Sequence, residues 1–180
     1  MTVKRFFDII MLCFKKNGFE RAEYLKKKQI FASMGENCFW QPRNIPPESK
    51  LIKLHDNVVV ASEVLFVNHD GMHHIFQKIH PESEFPIMYG AIEIESHVFI
   101  GSRCIILPNT KIEDHVIIGA GSVVSGHLES DSIYAGCPAK KIGSFDKMLE
   151  RRKYMTAKGM SREDRFLKAW EDFYRKYPNP

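Results

Sequence analysis

Cysteine is sparse and scattered: Cys13, Cys38, Cys104 and Cys137 are spread over 180 residues, with no CxxC pair among them. That spacing supplies neither a disulfide framework nor a zinc-finger site. A long apolar run is also missing. The apolar stretch from Phe6 to Phe14 is short and interrupted by Asp8, far below the roughly 20 residues a membrane span requires. It also lacks the cleavage site of a signal peptide. Membrane contact is therefore not expected beyond a loose association of this segment with a membrane surface, and the cytoplasm is the default compartment. Charge of one sign is only mildly in excess, at +4, and no stripe interleaves aromatic with basic residues, so nucleic acid is not an expected partner. A composition of 44% hydrophobic and 27% charged residues fits a soluble protein with one real core and some appendages.

The middle of the chain also lacks the two commonest periods. A helix repeats near 3.6 residues and a strand at 2, yet Ile94, Ile100, Ile106, Ile112, Ile118 and Val124 fall six apart. Four residues after each comes another small or apolar side chain: Val98, Cys104, Thr110, Val116, Ser122 and Leu128. Period six predicts a parallel β-helix, in which each hexad is one short strand plus a turn and the aliphatic points inward. Cys38 and Cys104 occupy apolar positions of the pattern and read as core residues.

The six uninterrupted hexads resemble those of the hexapeptide-repeat, left-handed β-helix acyltransferases. Within that family the chain is most similar to the galactoside, maltose, capsular polysaccharide and xenobiotic O-acetyltransferases. The resemblance implies a mainly β chain with three hexads per triangular coil. The segment Gly136-Cys137-Pro138-Ala139-Lys140-Lys141 matches the family's closing Gly-x-Pro-Ala signature and its basic residues.

Three regions follow. Residues 1–31 read as a helical cap, with helices from Val3 to Lys16 and from Phe19 to Lys28 and a stop at Asn17-Gly18. Such a cap would cover the apolar ladder and the unpaired strand edges at an open coil end. Residues 32–142 carry the β-helix, irregular over 42–50 and interrupted by an excursion over 69–90. An excursion of that length in a compact domain points to function, and its apolar content predicts an ordered loop packed on something. Residues 143–180 read as a helical extension. Phe145, Met148 and Leu149 would pack on the last coil. A helix start at Ser161 and Asp164 leads into an apolar stripe of Phe166, Leu167, Trp170, Phe173, Tyr174 and Tyr177.

Acyl transfer from a thioester to a hydroxyl needs a base, an oxyanion site and a place for the acyl carrier. Histidine is the usual base at neutral pH. His55, His97, His115 and His127 read as turn residues, whereas His69 stands where the last regular hexad breaks into the excursion. By resemblance His69 is the general base, with His73 and His74 as alternatives. Asp70, Met88 and Tyr89 are acceptor-site candidates. Asp70 could instead cap the loop. Phe85 and Trp40 are further candidates, with core packing as the simpler role. The resemblance assigns the acetyl-CoA donor to Ser102, Gly119, Ala120, Ser125, Ala139, Lys140 and Lys141. Phe99 stands where galactoside-type members carry Trp, and Gly143 stands where some carry a basic residue.

The expected activity is acetyl-CoA-dependent O-acetylation of a sugar or polysaccharide hydroxyl, by a homotrimer with sites between subunits and with no metal. Alternatives are a xenobiotic acceptor, a zinc enzyme of the β-helix carbonic anhydrase kind using His69 and His74, and a scaffold without catalysis.

Overall fold

The computed structural model describes residues 3–153 and 159–178, which fall into two compact units divided between Phe145 and Asp146. The first unit opens with α1 (Val3–Cys13) and α2 (Gly18–Lys27), then winds as a parallel β-helix. The first coil contributes β1 (Ser33–Met34) and β2 (Phe39–Trp40). The second contributes β3 (Ile52–Leu54), β4 (Val59–Val60) and β5 (Leu65–Phe66). After an excursion containing α3 (His73–Ile79), the third coil follows with β6 (Ile92–Ile94), β7 (Phe99–Ile100) and β8 (Ile105–Ile106). The fourth has β9 (Thr110–Ile112), β10 (Val116–Ile118) and β11 (Val123–Val124). The last turn holds β12 (His127–Leu128), β13 (Ser132–Ala135) and β14 (Lys140–Ser144). Three faces result: β1-β3-β6-β9-β12, β2-β4-β7-β10-β13-β14 and β5-β8-β11. Helices α4 (Phe145–Lys153) and α5 (Arg162–Lys176) complete the described chain.

The hexad isoleucines form the core. Ile94, Ile100, Ile106, Ile112 and Ile118 are fully buried, as is Cys104, and Cys38 is nearly so. The register locates every departure from the repeat. β11 lies on β8 at an offset of 18 residues (Ile105 over Val123), and β8 lies on β5 at an offset of 40 (Leu65 over Ile105). The excursion therefore adds 22 residues to one coil. The last step is two residues short, because Leu128 pairs with Ile112 at an offset of 16. Leu128 thus takes the ladder position of Ile112 and not the place four residues after the ladder aliphatic that the spacing suggested; the shortening falls at Ser125-Gly126.

The coil corners explain two of the turn histidines, His97 and His115, whereas His127 lies within strand β12. Asn37, Asn57, His97, His115 and Asp131 all adopt positive φ, and they follow one another at the register offsets of their face. Asn and Asp reach this conformation most readily, and His follows. Their side chains stack up the edge: Asn57 Nδ2 lies 3.1 Å from His97 Nε2, and the His97 and His115 rings are parallel at 4.8 Å.

At the N-terminal end, α2 packs on the first coil through buried Arg21. Its Nε donates to Trp40 O (2.9 Å), Nη2 to Gln41 Oε1 (2.8 Å) and Nη1 to Lys15 O (3.2 Å). Burial holds this guanidinium's pKa below its ordinary value. Buried Asp8 accepts the Tyr24 hydroxyl at 2.6 Å; burial, and then this bond, push the phenol up to about 12. Asn17 serves as the N-cap of α2, accepting Glu20 N–H, whereas α1 already ends at Cys13. Trp40 lies between Phe31 and Phe66 at ring distances of 5.0 and 5.6 Å, so it is a core residue. At the other end β14 turns back antiparallel on β13, and Phe145 sets its ring edge-on to His115 at 5.3 Å.

In the second unit, Ser161 and Asp164 form a reciprocal capping box at the start of α5. The aromatic stripe is exposed and stacks on itself, Trp170 with Tyr174 and Phe173 with Tyr177. No described helix is long and apolar enough to cross a membrane.

Two outcomes follow from the stacking. A Cβ added at Gly101 would lie 2.5 Å from Ala120 N and 2.8 Å from Ile118 O, both backbone atoms of the next coil. Gly101→Ala should cost about 1–3 kcal/mol in a urea titration, and an unchanged midpoint would show that the coils do not approach so closely. Glu113 ties the shortened turn, accepting Ser130 N–H at 2.9 Å and His127 Nε2 at 2.7 Å. These bonds, the backbone one first, hold its carboxyl below its usual range. The stabilisation is present above the unfolded pKa of about 4.3 and disappears as pH falls through the folded value. The melting-temperature gap between the wild type and Glu113→Gln should therefore close below pH 4, and a constant gap would refute the link.

Candidate active site

The excursion leaves the coil at a hydrogen-bonded neck. Asn68 is buried; its carbonyl accepts Gly90 N–H at 2.7 Å, and its Nδ2 donates to Gly90 O at 3.0 Å. The next residues out, His69 and Tyr89, form an antiparallel bridge with their rings 5.9 Å apart. Gly90 is required here because a Cβ would meet Pro108 Cβ at 2.5 Å. The neck thus clamps His69 against the coil above, at the corner between the β5-β8-β11 face and the β3-β6-β9 face.

His69 Nδ1 lies 3.0 Å from Glu48 Oε2. An ionised carboxylate can only accept, so the neutral imidazole carries its proton on Nδ1 and keeps a lone pair on Nε2. Glu48 comes from the irregular segment 42–50, immediately before the 3-10 turn Ser49–Leu51. A carboxylate contact alone does not single out His69: His55 meets Glu93 at 3.2 Å and His127 meets Glu113 at 2.7 Å. Those pairs lie on open strand surface, however, each bonded through Nε2. His80 and His115 also face carboxylates through Nδ1, Glu82 at 3.2 Å and Asp131 at 3.7 Å. His69 differs in its place, half-buried at the neck beside Tyr89 and bonded to a carboxylate from a separate segment.

The alternatives fall elsewhere. His73 and His74 sit in the first turn of α3, a helix within the excursion that periodicity did not reveal, with their rings 3.9 Å apart. Among the described residues no group of three or more His, Cys, Asp or Glu side chains could hold a metal ion. Asp70 accepts Met72 N–H at 3.0 Å, which is a loop-capping contact. Tyr89 and Met88 are exposed beside His69, as are Met72, Ile75 and Ile79 further out. Phe85 packs on Phe76 within the excursion at 5.6 Å. The expectation that the loop packs on something is met only internally, because most of its apolar side chains have no cover in this chain.

The residues assigned to the acyl donor gather along a different corner. Ser102 follows β7 and Ala120 follows β10, stacked at the same corner, with Gly121 N–H donating to Ser102 O at 2.8 Å. Gly119 O accepts the Ser122 hydroxyl at 2.6 Å. Ala139 joins this edge, its N–H donating to Val123 O at 2.8 Å. Lys140 is exposed at the start of β14, and Lys141 pairs with Glu129 at 3.6 Å. Ser125 is separated from the others: it follows β11, on the His69 corner. Within one chain the β5-β8-β11 face thus stands between His69 and the Ser102–Ala120 corner.

Comparison with known proteins agrees with this architecture. Residues 91–126 match the bacterial transferase hexapeptide family (six repeats). The chain is 40% identical to Protein CapG of Staphylococcus aureus over 136 residues, covering 72% of this chain and 77% of that one. It is 31% identical to galactoside O-acetyltransferase of Escherichia coli K12 over 136 residues, covering 64% of each chain. It therefore spans just under two thirds of that relative's length. Among solved structures, a hexapeptide-repeat acetyltransferase of Vibrio cholerae O1 biovar eltor, complexed with acetyl-coenzyme A, superposes with a TM-score of 0.59 at 17% identity. The match covers 79% of this chain and 85% of that one and establishes the fold. By its repeat, its three-faced coil and its identity with CapG over most of both chains, the protein belongs to the hexapeptide-repeat transferases, which fold as left-handed parallel β-helices.

Proposed function

We propose that the protein is an acetyl-CoA-dependent O-acetyltransferase acting on a hydroxyl of a sugar or polysaccharide unit, with His69 as general base. The observation that carries the reading is the His69–Glu48 pair at the neck of the excursion, which leaves Nε2 as the proton acceptor. The relative named galactoside O-acetyltransferase and the fold neighbour complexed with acetyl-coenzyme A support the reaction type.

In this mechanism Glu48 accepts the Nδ1 proton and fixes the tautomer, as a positioning residue. His69 Nε2 removes the acceptor hydroxyl proton as the oxygen attacks the thioester carbonyl. Backbone N–H groups at the Ser102–Ala120 corner stabilise the oxyanion. Collapse breaks the C–S bond, and the departing thiolate takes the proton back from His69 Nε2–H. The base and the donor corner belong to different edges of one coil stack. A homotrimer would bring the His69 edge of one subunit to the donor corner of the next, and the exposed excursion would then wall that site. Outward-facing Leu65 and Phe99 support such a contact.

With acetyl-CoA at about 100 times its Kd, the protein should gain roughly 2.7 kcal/mol, seen as a raised melting temperature. The sedimentation mass should be that of a trimer; a monomer would refute the shared site. His69→Ala should lower kcat about 100-fold or more. Glu48→Leu should lower kcat about tenfold with little change in KM, and Glu48→Gln should restore part of it. Retained activity in His69→Ala would remove the proposed base.

A further inference from the structure

Helix α1 has two unlike sides. On the inner side Asp8 and Leu12, four residues apart, are buried; Asp8 accepts the Tyr24 hydroxyl and Leu12 joins the core. On the outer side Val3, Phe7 and Phe14 are 87, 58 and 75% exposed, with Phe6 and Ile10 exposed beside them. Positions 3, 7, 10 and 14 form a single helical stripe. Exposed Phe19, in the first turn of α2, extends it. The one acid of α1 is thus turned inward, and its outer surface is aliphatic and aromatic.

Cations rim this stripe. Lys15 and Lys16 follow α1, and Lys27 and Lys28 close α2; Lys16, Lys27 and Lys28 are exposed. Lys15 Nζ and Lys28 Nζ both lie over the Tyr24 ring, at 5.1 and 5.7 Å from its centroid. Residues 1–28 hold eight Lys or Arg and three Asp or Glu, a net +5, whereas the whole chain is +4. The other 152 residues therefore carry −1, so the positive excess belongs to this segment, although Arg21 is buried and Lys26 pairs with Glu36.

That charge decides between two occupants of the face. A second copy docked through the same face would bring two segments of +5 together, at a repulsive cost. A bilayer rich in anionic phospholipid offers an apolar layer for the stripe and phosphates for the rim. We propose that α1 is an interfacial anchor, which lays Val3, Phe7, Ile10 and Phe14 into the surface of an anionic membrane while Lys15, Lys16, Lys27 and Lys28 engage the headgroups. This extends the loose surface association that the sequence left open for this segment. Lying in the interface needs a stripe and a basic rim and no spanning length. The proposal does not depend on the acetyltransferase reading, because its test reads binding and not turnover.

The test is flotation of the full chain with vesicles of phosphatidylcholine and phosphatidylglycerol at 7:3, beside pure phosphatidylcholine, in 0.1 M salt. The anionic vesicles should take up at least about tenfold more protein, since each basic residue near such a surface is worth about 1 kcal/mol. Salt at 1 M should release it. Phe7→Ser/Phe14→Ser and, separately, Lys15→Glu/Lys16→Glu should each lower binding about tenfold. Both pairs should melt as the wild type does, because the altered side chains have little or no share in the core. Equal uptake by neutral vesicles, no uptake, or wild-type flotation of both variants would overturn the anchor. A fall in sedimentation mass in the phenylalanine variant would assign the face to a second copy instead.

Discussion

Each coil of this protein depends on the next to complete its backbone hydrogen bonds. The strands are two to five residues long, far too short to be stable alone, so cohesion comes from repetition of one register. Ile92 over Thr110 and Ile105 over Val123 repeat an offset of 18, which stacks the aliphatics inside and the positive-φ residues at the corners. Close approach at Gly101 and the Asn57-His97-His115 stack both follow from that repeat. A ladder this regular has no chemistry of its own.

The proposed chemistry lies where the ladder is interrupted. The segment 42–50 leaves the first coil without a third strand and delivers Glu48. The excursion adds 22 residues to the second coil and delivers His69 and Tyr89. The two interruptions lie close enough for His69 and Glu48 to bond at 3.0 Å. A strand residue is held by neighbours on both sides and has little freedom to present a polar group to a ligand. A clamped loop neck is rigid through Asn68 and Gly90 yet open outward, which is the combination a general base requires.

The ends of a solenoid have the opposite problem, since an open coil exposes apolar ladder and unpaired backbone. The two ends meet it differently. At the start, α2 docks through the three donors of Arg21, and burying α2 and the inner side of α1 leaves the outer side of α1 bare. At the finish, β14 folds back antiparallel and closes the edge with the chain's own backbone.

The sequence by itself determined the coil. Period six is a local property: each hexad needs only its own aliphatic and corner residue, so the ladder, the buried Cys38 and Cys104, the helical ends and the helix start at Ser161 and Asp164 were all legible. His69 was legible as the residue at the break, by family resemblance. Glu48 was not, because it lies 21 residues away in a segment without period, and nothing local marks a carboxylate that will meet an imidazole. The two-residue shortening at Ser125-Gly126 and the helix within the excursion were hidden for a related reason: only pairing with the preceding coil reveals an offset of 16, and a short exposed helix carries no clear burial pattern. Tertiary structure alone decided which interruptions met. It also decided which side of α1 was buried, because both depend on contacts between segments that the sequence keeps apart.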